Sequence, residues 1–171
     1  MPNCIMLVGA PGVGKSTWCE NLVLQWEKER KWENDADYNP CLLSTDYYIE
    51  RLAVMFDLTY NEAFQDVIKF AEKIMWRDAA NASNDKVDVY VDRTNMSVKA
   101  RKKFIDFFKP HGYTFDAIVF ELPEKAEWER RLSSRPGKII PQNVLDSMIK
   151  NFEMPSHEEG FRNIVPVNVN D

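Results

Sequence analysis

The segment Gly9 to Thr17 carries the residue types that bind a chain of phosphates. It matches the pattern GxxxxGK[ST] between an apolar run and a helical pattern. In this pattern glycines let backbone N–H groups wrap the phosphates, the lysine reaches the β- and γ-phosphates, and the hydroxyl holds Mg²⁺. The sequence therefore predicts a triphosphate loop formed by Gly9, Ala10, Pro11, Gly12, Val13, Gly14, Lys15, Ser16 and Thr17, with Ser16 as a metal ligand.

Two carboxylates follow predicted strands, which we place at Cys41–Thr45 and Val87–Val91. The carboxyl ends of neighbouring parallel strands share one crevice, so Asp46 and Asp92 are expected to face the γ-phosphate. Asp46 is predicted to be the general base that accepts the proton of an attacking hydroxyl, and the alternative is an N-cap for a helix from Tyr47. Asp92 is predicted to bind Mg²⁺ or its water shell, and the alternative is a turn or cap role.

Four cations surround a Pro-Gly break between two predicted helices: Arg130, Arg131, Arg135 and Lys138. Such a segment can close as a lid, and its arginines can neutralise charge on a transferring phosphoryl group, which predicts nucleotide contacts for Arg131 and Arg135. The alternative is that these cations only stabilise a helix C-terminus.

Strand patterns alternate with helix patterns along the chain. Apolar or β-branched runs predict strands at Ile5–Val8, Cys41–Thr45, Val87–Val91, Thr114–Glu121 and Ile164–Val165. Helices are predicted after Lys15, from Tyr47, after a capping box at Thr59–Glu62, after Ser97, over Glu124–Ser133 and after Pro141, with a surface connection over Lys31–Pro40. The pattern predicts an α/β fold with a parallel sheet covered by helices on both sides, in three layers.

Length and composition are typical of one globular domain, so we expect a single domain over residues 1–171. The chain has 44% hydrophobic and 29% charged residues, and no apolar run approaches a membrane span. Three cysteines without CxxC spacing favour a reducing, cytoplasmic compartment and make no zinc site with the two histidines. We expect no membrane partner, and the sequence leaves the oligomeric state open.

The net charge of −5 is distributed unevenly along the chain. Residues 86–138 carry twelve basic and eight acidic side chains, an excess that could contact a polyanion. The candidate contacts are Arg93, Arg101, Lys102 and Lys103, and the alternative is a solvated helix face.

Four segments in order carry a family resemblance: the loop with Ser16-Thr17-Trp18, then Ser44-Thr45-Asp46-Tyr47-Tyr48, Asp92-Arg93-Thr94-Asn95, and Arg131 to Pro141. Together they resemble the kinase domain of bacteriophage polynucleotide 5′-hydroxyl kinases and the related kinase modules of nucleic-acid end-repair enzymes. The resemblance covers about Ile5 to Phe161. It implies a P-loop kinase fold like that of nucleoside monophosphate kinases, with a C-terminal lid.

The resemblance also implies roles for individual residues. Lys15 and Ser16 would bind the triphosphate and metal, Asp46 would be the base, and Arg135 the lid cation. The acceptor, a 5′-hydroxyl end of DNA or RNA, would contact Asp46, Tyr48, Asp92, Arg93, Thr94 and Asn95. The donor would be ATP or another nucleoside triphosphate, with Mg²⁺. If a phage encodes the chain, the protein would act in the host cytoplasm.

Two departures from the bacteriophage pattern matter. The pattern has an acceptor-phosphate arginine directly after the tyrosine that matches Tyr48, and here this residue is Ile49. Arg93 or Arg51 could replace it. The chain also lacks a DxDGT phosphatase motif, so we expect no 3′-phosphatase activity.

The sequence prediction is a polynucleotide 5′-hydroxyl kinase acting in nucleic-acid end repair. The alternatives are a small-molecule kinase of the same fold and a non-catalytic nucleotide-binding module. The DxxG and NKxD motifs of guanine-nucleotide switch proteins are absent, which disfavours that class of binding module.

Overall fold

The fold is taken from a computed structural model that describes residues 1–30, 40–135 and 137–168. The connection predicted over Lys31–Pro40 lies outside these residues except for Pro40. Across the part of the chain described, no helix combines the length and apolar character needed to cross a membrane.

A parallel sheet forms the centre of the fold, as predicted. Its strands are β1 (Asn3–Val8), β2 (Cys41–Leu43), β3 (Val89–Asp92), β4 (Thr114–Phe120) and β5 (Asn163–Val167). They lie in the order β2-β3-β1-β4-β5, and every neighbouring pair is parallel. The chain therefore changes direction across the sheet at β1, and the loop after β1 lies at this switch point, where α/β folds bind ligands.

Helices connect the strands and cover the sheet. They are α1 (Lys15–Arg30), α2 (Thr45–Phe56), α3 (Tyr60–Asp85), α4 (Val98–Phe108), α5 (Lys125–Ser133) and α6 (Gln142–Lys150), with 3₁₀ turns at Lys109–His111 and His157–Glu159. The capping box at Thr59 and the cap at Ser97 are both formed. These caps fix where α3 and α4 begin.

Strand β1 shows why the fold has three layers. Side chains alternate along a strand, so Cys4 and Met6 pack into one core with α3 and α4, whereas Ile5 and Leu7 pack into another with α1, α5 and α6. A smaller cluster joins α2 to α3 in a helical hairpin. This hairpin carries Asp46 at the start of α2, beside the carboxyl edge of the sheet.

Each strand differs from its predicted bounds at one or both ends, and two of the differences have a local cause. Strand β2 ends at Leu43 because Ser44 is the N-cap of α2, with its hydroxyl accepting from the backbone N–H of Tyr47. Strand β3 begins at Val89, because the backbone N–H of Val87 is still bonded to the Ala82 carbonyl at the end of α3.

Candidate active site

The glycine-rich loop between β1 and α1 is held from three sides. The Gly9 N–H donates to the Thr94 carbonyl at 2.9 Å, which ties the loop to the segment after β3. The indole N–H of Trp128 on α5 donates to the Pro11 carbonyl at 2.8 Å. The Lys15 ammonium donates to the carbonyls of Gly9 and Ala10 at 2.8 and 2.7 Å. The loop is therefore preorganised by its surroundings.

Gly12 is required where the loop passes α5. Its φ is +80°, and a Cβ there would lie 3.0 Å from the Leu132 side chain. The left-handed backbone strains any larger residue, and the Leu132 side chain would have to shift to admit one. The glycines of the loop therefore serve its packing against α5 as well as the binding of phosphates by backbone N–H groups.

Lys15 is a buried cation, with only 8% of its surface exposed. Burial lowers its pKa to about 8, against the opposing influence of Asp92 and Asp46. The ammonium still carries its charge at neutral pH. An anionic phosphate chain in the cleft would restore the interactions that the charge loses on burial.

Ser16 and Asp92 offer oxygen ligands side by side. The Ser16 hydroxyl donates to Asp92 Oδ2 at 3.0 Å. Burial raises the pKa of Asp92, and the nearby Lys15 only partly offsets this effect. No cluster of three or more His, Cys, Asp or Glu side chains suited to a metal is present in the residues described. The pair fits Mg²⁺, which is usually held by one or two side chains together with substrate phosphates and water.

Asp46 lies in the first turn of α2, and Ser44 is the residue that caps this helix. The alternative prediction, that Asp46 is the N-cap, is therefore wrong. Asp46 Oδ1 accepts from the Tyr60 hydroxyl at 2.6 Å, and Oδ2 accepts from the Lys138 ammonium at 2.5 Å. Burial acts to raise the pKa of Asp46, but Lys138 and the bond from Tyr60 outweigh it and hold the pKa below its ordinary value.

The lid segment between α5 and α6, described at residues 134–135 and 137–141, is docked on the start of α3. The Asn61 N–H donates to the Gly137 carbonyl at 3.2 Å, and the Asn61 amide donates to the Ile139 carbonyl at 3.3 Å. Between these contacts Lys138 is only 8% exposed. The contact between the lid and Asp46 joins residues 92 positions apart, so no local sequence signal could reveal it.

Two of the predicted lid arginines line the cleft and one does not. Arg131 and Arg135 are lining residues, and Arg131 is oriented by Glu127, whose carboxylate accepts from it at 2.6 Å. Arg130 is also paired with Glu127 but is 68% exposed, which fits the alternative of a solvated cation at a helix end.

One cleft of about 990 Å³ brings most predicted site residues together. Its walls come from the loop, the starts of α2 and α3, the segment after β3, the lid and α6. The predicted residues that line it are Pro11, Gly12, Gly14, Lys15, Ser16, Thr17, Asp46, Asp92, Arg93, Thr94, Arg131 and Arg135. Gly9, Ala10 and Val13 belong to the loop beneath this lining, where the side chains of Ala10 and Val13 are buried.

Tyr48 and Asn95 are corrections to the predicted acceptor contacts, because the structure does not bring their side chains into the cleft. The Tyr48 hydroxyl donates to Asp78 on α3. Asn95 is 2% exposed, and its amide donates to the backbone carbonyls of Leu7 and Val91. Both side chains brace the walls of the site.

Arg101 is wrong as a nucleic-acid contact, because it is fully buried. Its guanidinium is paired with Glu159 at 2.8 Å and donates to the carbonyls of Asn95 and Glu153. Lys102 is exposed but paired with Asp106 on α4, and neither it nor the exposed Lys103 is among the cleft-lining residues described. Of the four candidate contacts, Arg101 is therefore structural, Lys102 and Lys103 lie on a solvated helix face, and Arg93 lines the cleft.

Ile49, which stands where the bacteriophage pattern has an acceptor-phosphate arginine, does not reach the cleft. Ile49 is fully buried in the hairpin between α2 and α3. Arg51 lies on the exposed side of α2, where it donates to the Tyr47 hydroxyl at 2.9 Å. Arg93 lines the cleft, 3.6 Å from the carboxylate of Glu72 on α3. Of the two replacements considered, the structure thus brings only Arg93 to the cleft.

Comparisons with known proteins give the family of this chain. Residues 4–155 match the family described as AAA domain, and the chain belongs to this family. A curated relative, the bifunctional polynucleotide phosphatase/kinase of Schizosaccharomyces pombe, is 24% identical over 166 residues, which cover 95% of this chain. The chain spans about a third (33%) of the length of that relative.

Two solved structures share the fold. Kti12 from Chaetomium thermophilum, in complex with ADP-AlF3, is 14% identical with a TM-score of 0.63 over 98% of this chain and 90% of that one. A gluconokinase from Sinorhizobium meliloti is 19% identical with a TM-score of 0.51 over 99% and 84%. The chain therefore has the three-layer α/β fold of P-loop kinase-like, nucleotide-binding proteins.

Proposed function

We propose that this chain transfers the γ-phosphate of ATP, or of another nucleoside triphosphate, to the 5′-hydroxyl end of DNA or RNA in nucleic-acid end repair. One observation carries the proposal: a single cleft joins the triphosphate loop, the lid arginines and the carboxylate of Asp46. Nucleotide binding alone would need the loop, whereas a carboxylate beside it has a use in phosphoryl transfer.

The triphosphate half of the cleft is assigned to the loop and the lid. Backbone N–H groups of residues 12–17, in the loop and at the start of α1, would bind the β- and γ-phosphates, with Lys15 as their fixed cation. Arg131 and Arg135 would neutralise charge that develops on the transferring group. Ser16 and Asp92 would hold Mg²⁺, which supplies further neutralisation of phosphate charge when bound.

Asp46 is assigned to the acceptor. Its carboxylate accepts the proton of the acceptor hydroxyl while that oxygen bonds to the γ-phosphorus and the bond between γ-phosphorus and the bridging oxygen breaks. The products are a 5′-phosphate end and ADP, and the proton rests on Asp46 before it passes to water. Each carboxylate oxygen has a second lone pair beyond its present partner, so Asp46 retains capacity for a substrate hydroxyl.

Two findings support a polynucleotide as the acceptor. The S. pombe relative is named a bifunctional polynucleotide phosphatase/kinase, and the match covers 95% of this chain. Arg93 gives the acceptor side of the cleft a cation next to Thr94 and Asp92, where a phosphate of the acceptor could bind. The narrower resemblance to the bacteriophage kinases stays a prediction.

A small-molecule kinase is the second candidate. The lid is docked on α3, with Lys138 against Asp46, and the fold is shared with a gluconokinase. A neutral small acceptor would need no contact from Arg93.

Salt dependence of the acceptor KM separates the two candidates. A single-stranded acceptor held by two phosphates should show a KM that rises about sevenfold between roughly 50 and 200 mM salt. The variant Arg93→Ala should raise KM and flatten this dependence, whereas the matched surface variant Lys102→Ala/Lys103→Ala should leave both unchanged. A KM insensitive to salt and to Arg93→Ala, with a nucleoside phosphorylated as efficiently as an oligonucleotide, would establish the small-molecule kinase instead.

A further inference from the structure

A nearly buried lysine from the lid lies against the carboxylate assigned as the base. The Lys138 ammonium is 2.5 Å from Asp46 Oδ2, 3.4 Å from Glu50 Oε1 and 4.0 Å from the centre of the Tyr60 ring. The Tyr60 hydroxyl donates to the other oxygen, Asp46 Oδ1, at 2.6 Å. Two donors on opposite oxygens fix the rotation of the carboxylate, which a single contact would leave free.

The lid backbone holds Lys138 in this place. Asn61 bonds to the carbonyls on either side of Lys138, those of Gly137 and Ile139. Gly137 has a φ of +66°, and a Cβ there would lie 3.1 Å from Cβ of Thr59. The close approach of lid and α3 therefore depends on glycine at this position, and the ammonium is delivered to Asp46 by backbone contacts.

We infer that Lys138 is a positioning residue for the transfer reaction: it fixes the orientation and the negative charge of the Asp46 carboxylate when the lid is docked. This inference rests on the proposed function, in which Asp46 accepts the acceptor proton. It gives a role to Lys138, which the proposed function assigns neither to the triphosphate nor to the acceptor. Because Lys138 belongs to the lid, the base is aligned only in the docked arrangement.

The charges around Asp46 show why Lys138 matters more than its neighbours. Burial opposes the charged form of the carboxylate, and Lys138 is the strongest influence in the other direction. Every packed element contributes a charged or titratable group: Lys138 and Arg135 from the lid, Tyr60 from α3, Glu50 from α2, Lys15 from α1 and Asp92 from β3. Without Lys138, burial and the carboxylates of Glu50 and Asp92 would raise the pKa of Asp46. Only the more distant cations and the hydrogen bond from Tyr60 would lower it.

The direct test is the titration of Asp46 by NMR, with aspartate labelled at the side-chain carboxyl carbon. The signal is assigned by its absence in Asp46→Asn, and spectra are recorded from about pH 2 to 8. In wild-type protein the midpoint of Asp46 should lie below the ordinary value of an aspartate. In Lys138→Gln its midpoint should rise by about one to three pH units, the usual effect of an opposite charge at this distance.

Two further variants keep the result interpretable. Lys138→Arg retains the charge and should restore the wild-type titration. Lys125→Gln removes an exposed lysine on α5, with 86% of its side chain accessible, and should change nothing. If Lys138→Gln does not fold, Gly137→Ala keeps the charge but displaces the lid, and it should raise the midpoint in the same direction. An Asp46 midpoint that does not move in a folded Lys138→Gln or Gly137→Ala protein overturns the inference.

Kinetics supply a second readout. With a 5′-hydroxyl oligonucleotide, Lys138→Gln should move the acid limb of the kcat profile to higher pH and leave the KM for ATP within a few-fold. An acid limb that stays in place contradicts the inference. The titration needs no substrate, so a chain that phosphorylates no polynucleotide refutes the proposed function while the titration still decides the role of Lys138.

Discussion

The substitution Asp46→Asn separates a catalytic from a structural role for this residue. The amide keeps the shape of the carboxylate but cannot accept a proton, so the transfer rate should fall by roughly 10² to 10⁴, the usual contribution of a positioned base. Nucleotide affinity should change little, because the loop and the lid arginines are intact.

The effect on stability can be worked from the contacts of Asp46. The substitution removes the partner of Lys138, and breaking a fully buried pair costs about 3–5 kcal/mol. Here the cost should be smaller, about 1–2 kcal/mol, since the Asp46 side chain is 46% exposed and Glu50 lies 3.4 Å from the same ammonium. The folded fraction therefore stays high enough for the rate to be measured.

The assay is single-turnover transfer of labelled phosphate to an oligonucleotide, combined with thermal unfolding. Ser44→Ala is the matched control: it removes the true N-cap of α2, two residues away, and should cost about 1 kcal/mol of stability with a rate within a few-fold of wild type. A rate for Asp46→Asn within a few-fold of wild type would refute the assignment of Asp46 as the base.

Three further predictions follow from the packing of the site and the fold. Because nucleotide should bind the charged form of Lys15, the Kd of the nucleotide, measured by calorimetry, should be constant below about pH 8 and rise by up to about tenfold per pH unit above it. A Kd that stays flat to higher pH would contradict the low pKa of this lysine. Gly137→Ala and Gly112→Ala both place alanine at positive φ and should each lower the free energy of unfolding by about 1–2 kcal/mol in chemical denaturation. The new methyl group meets a neighbour only at position 137, so only Gly137→Ala should slow transfer, and equal rates would argue against lid docking. Arg101→Ala should lower the free energy of unfolding by about 3–5 kcal/mol, against less than about 0.5 kcal/mol for the exposed Lys103→Ala, and similar values for the two would contradict the burial of Arg101.

Local sequence signals predicted the parts of the fold that depend on local structure. The capping box at Thr59, the cap at Ser97 and the glycine-rich loop are formed by residues three to eight positions apart. Each was predictable because its partners lie within one short segment. Alternating strands and helices also predicted the parallel sheet, since the long connection between two parallel strands is usually a helix.

Long-range contacts explain the side chains whose surroundings the sequence did not indicate. Tyr48 turns to Asp78, 30 residues later, and Arg101 is buried by Glu159, 58 residues later. Lys138 was recognisable as a lid cation, but its contact with Asp46 is determined by how the lid docks on α3. Side-chain direction at such positions depends on tertiary packing, which local pattern does not encode.

The most direct test of the central claim is a competition for labelled γ-phosphate in one reaction. ATP and Mg²⁺ are supplied with equal amounts of a 5′-hydroxyl oligonucleotide, the same oligonucleotide already carrying a 5′-phosphate, and a free nucleoside. We predict label on the 5′-hydroxyl oligonucleotide alone, and its loss in Lys15→Ala. Label on the nucleoside instead, or release of inorganic phosphate with no acceptor labelled, would contradict the assignment of this chain as a polynucleotide kinase.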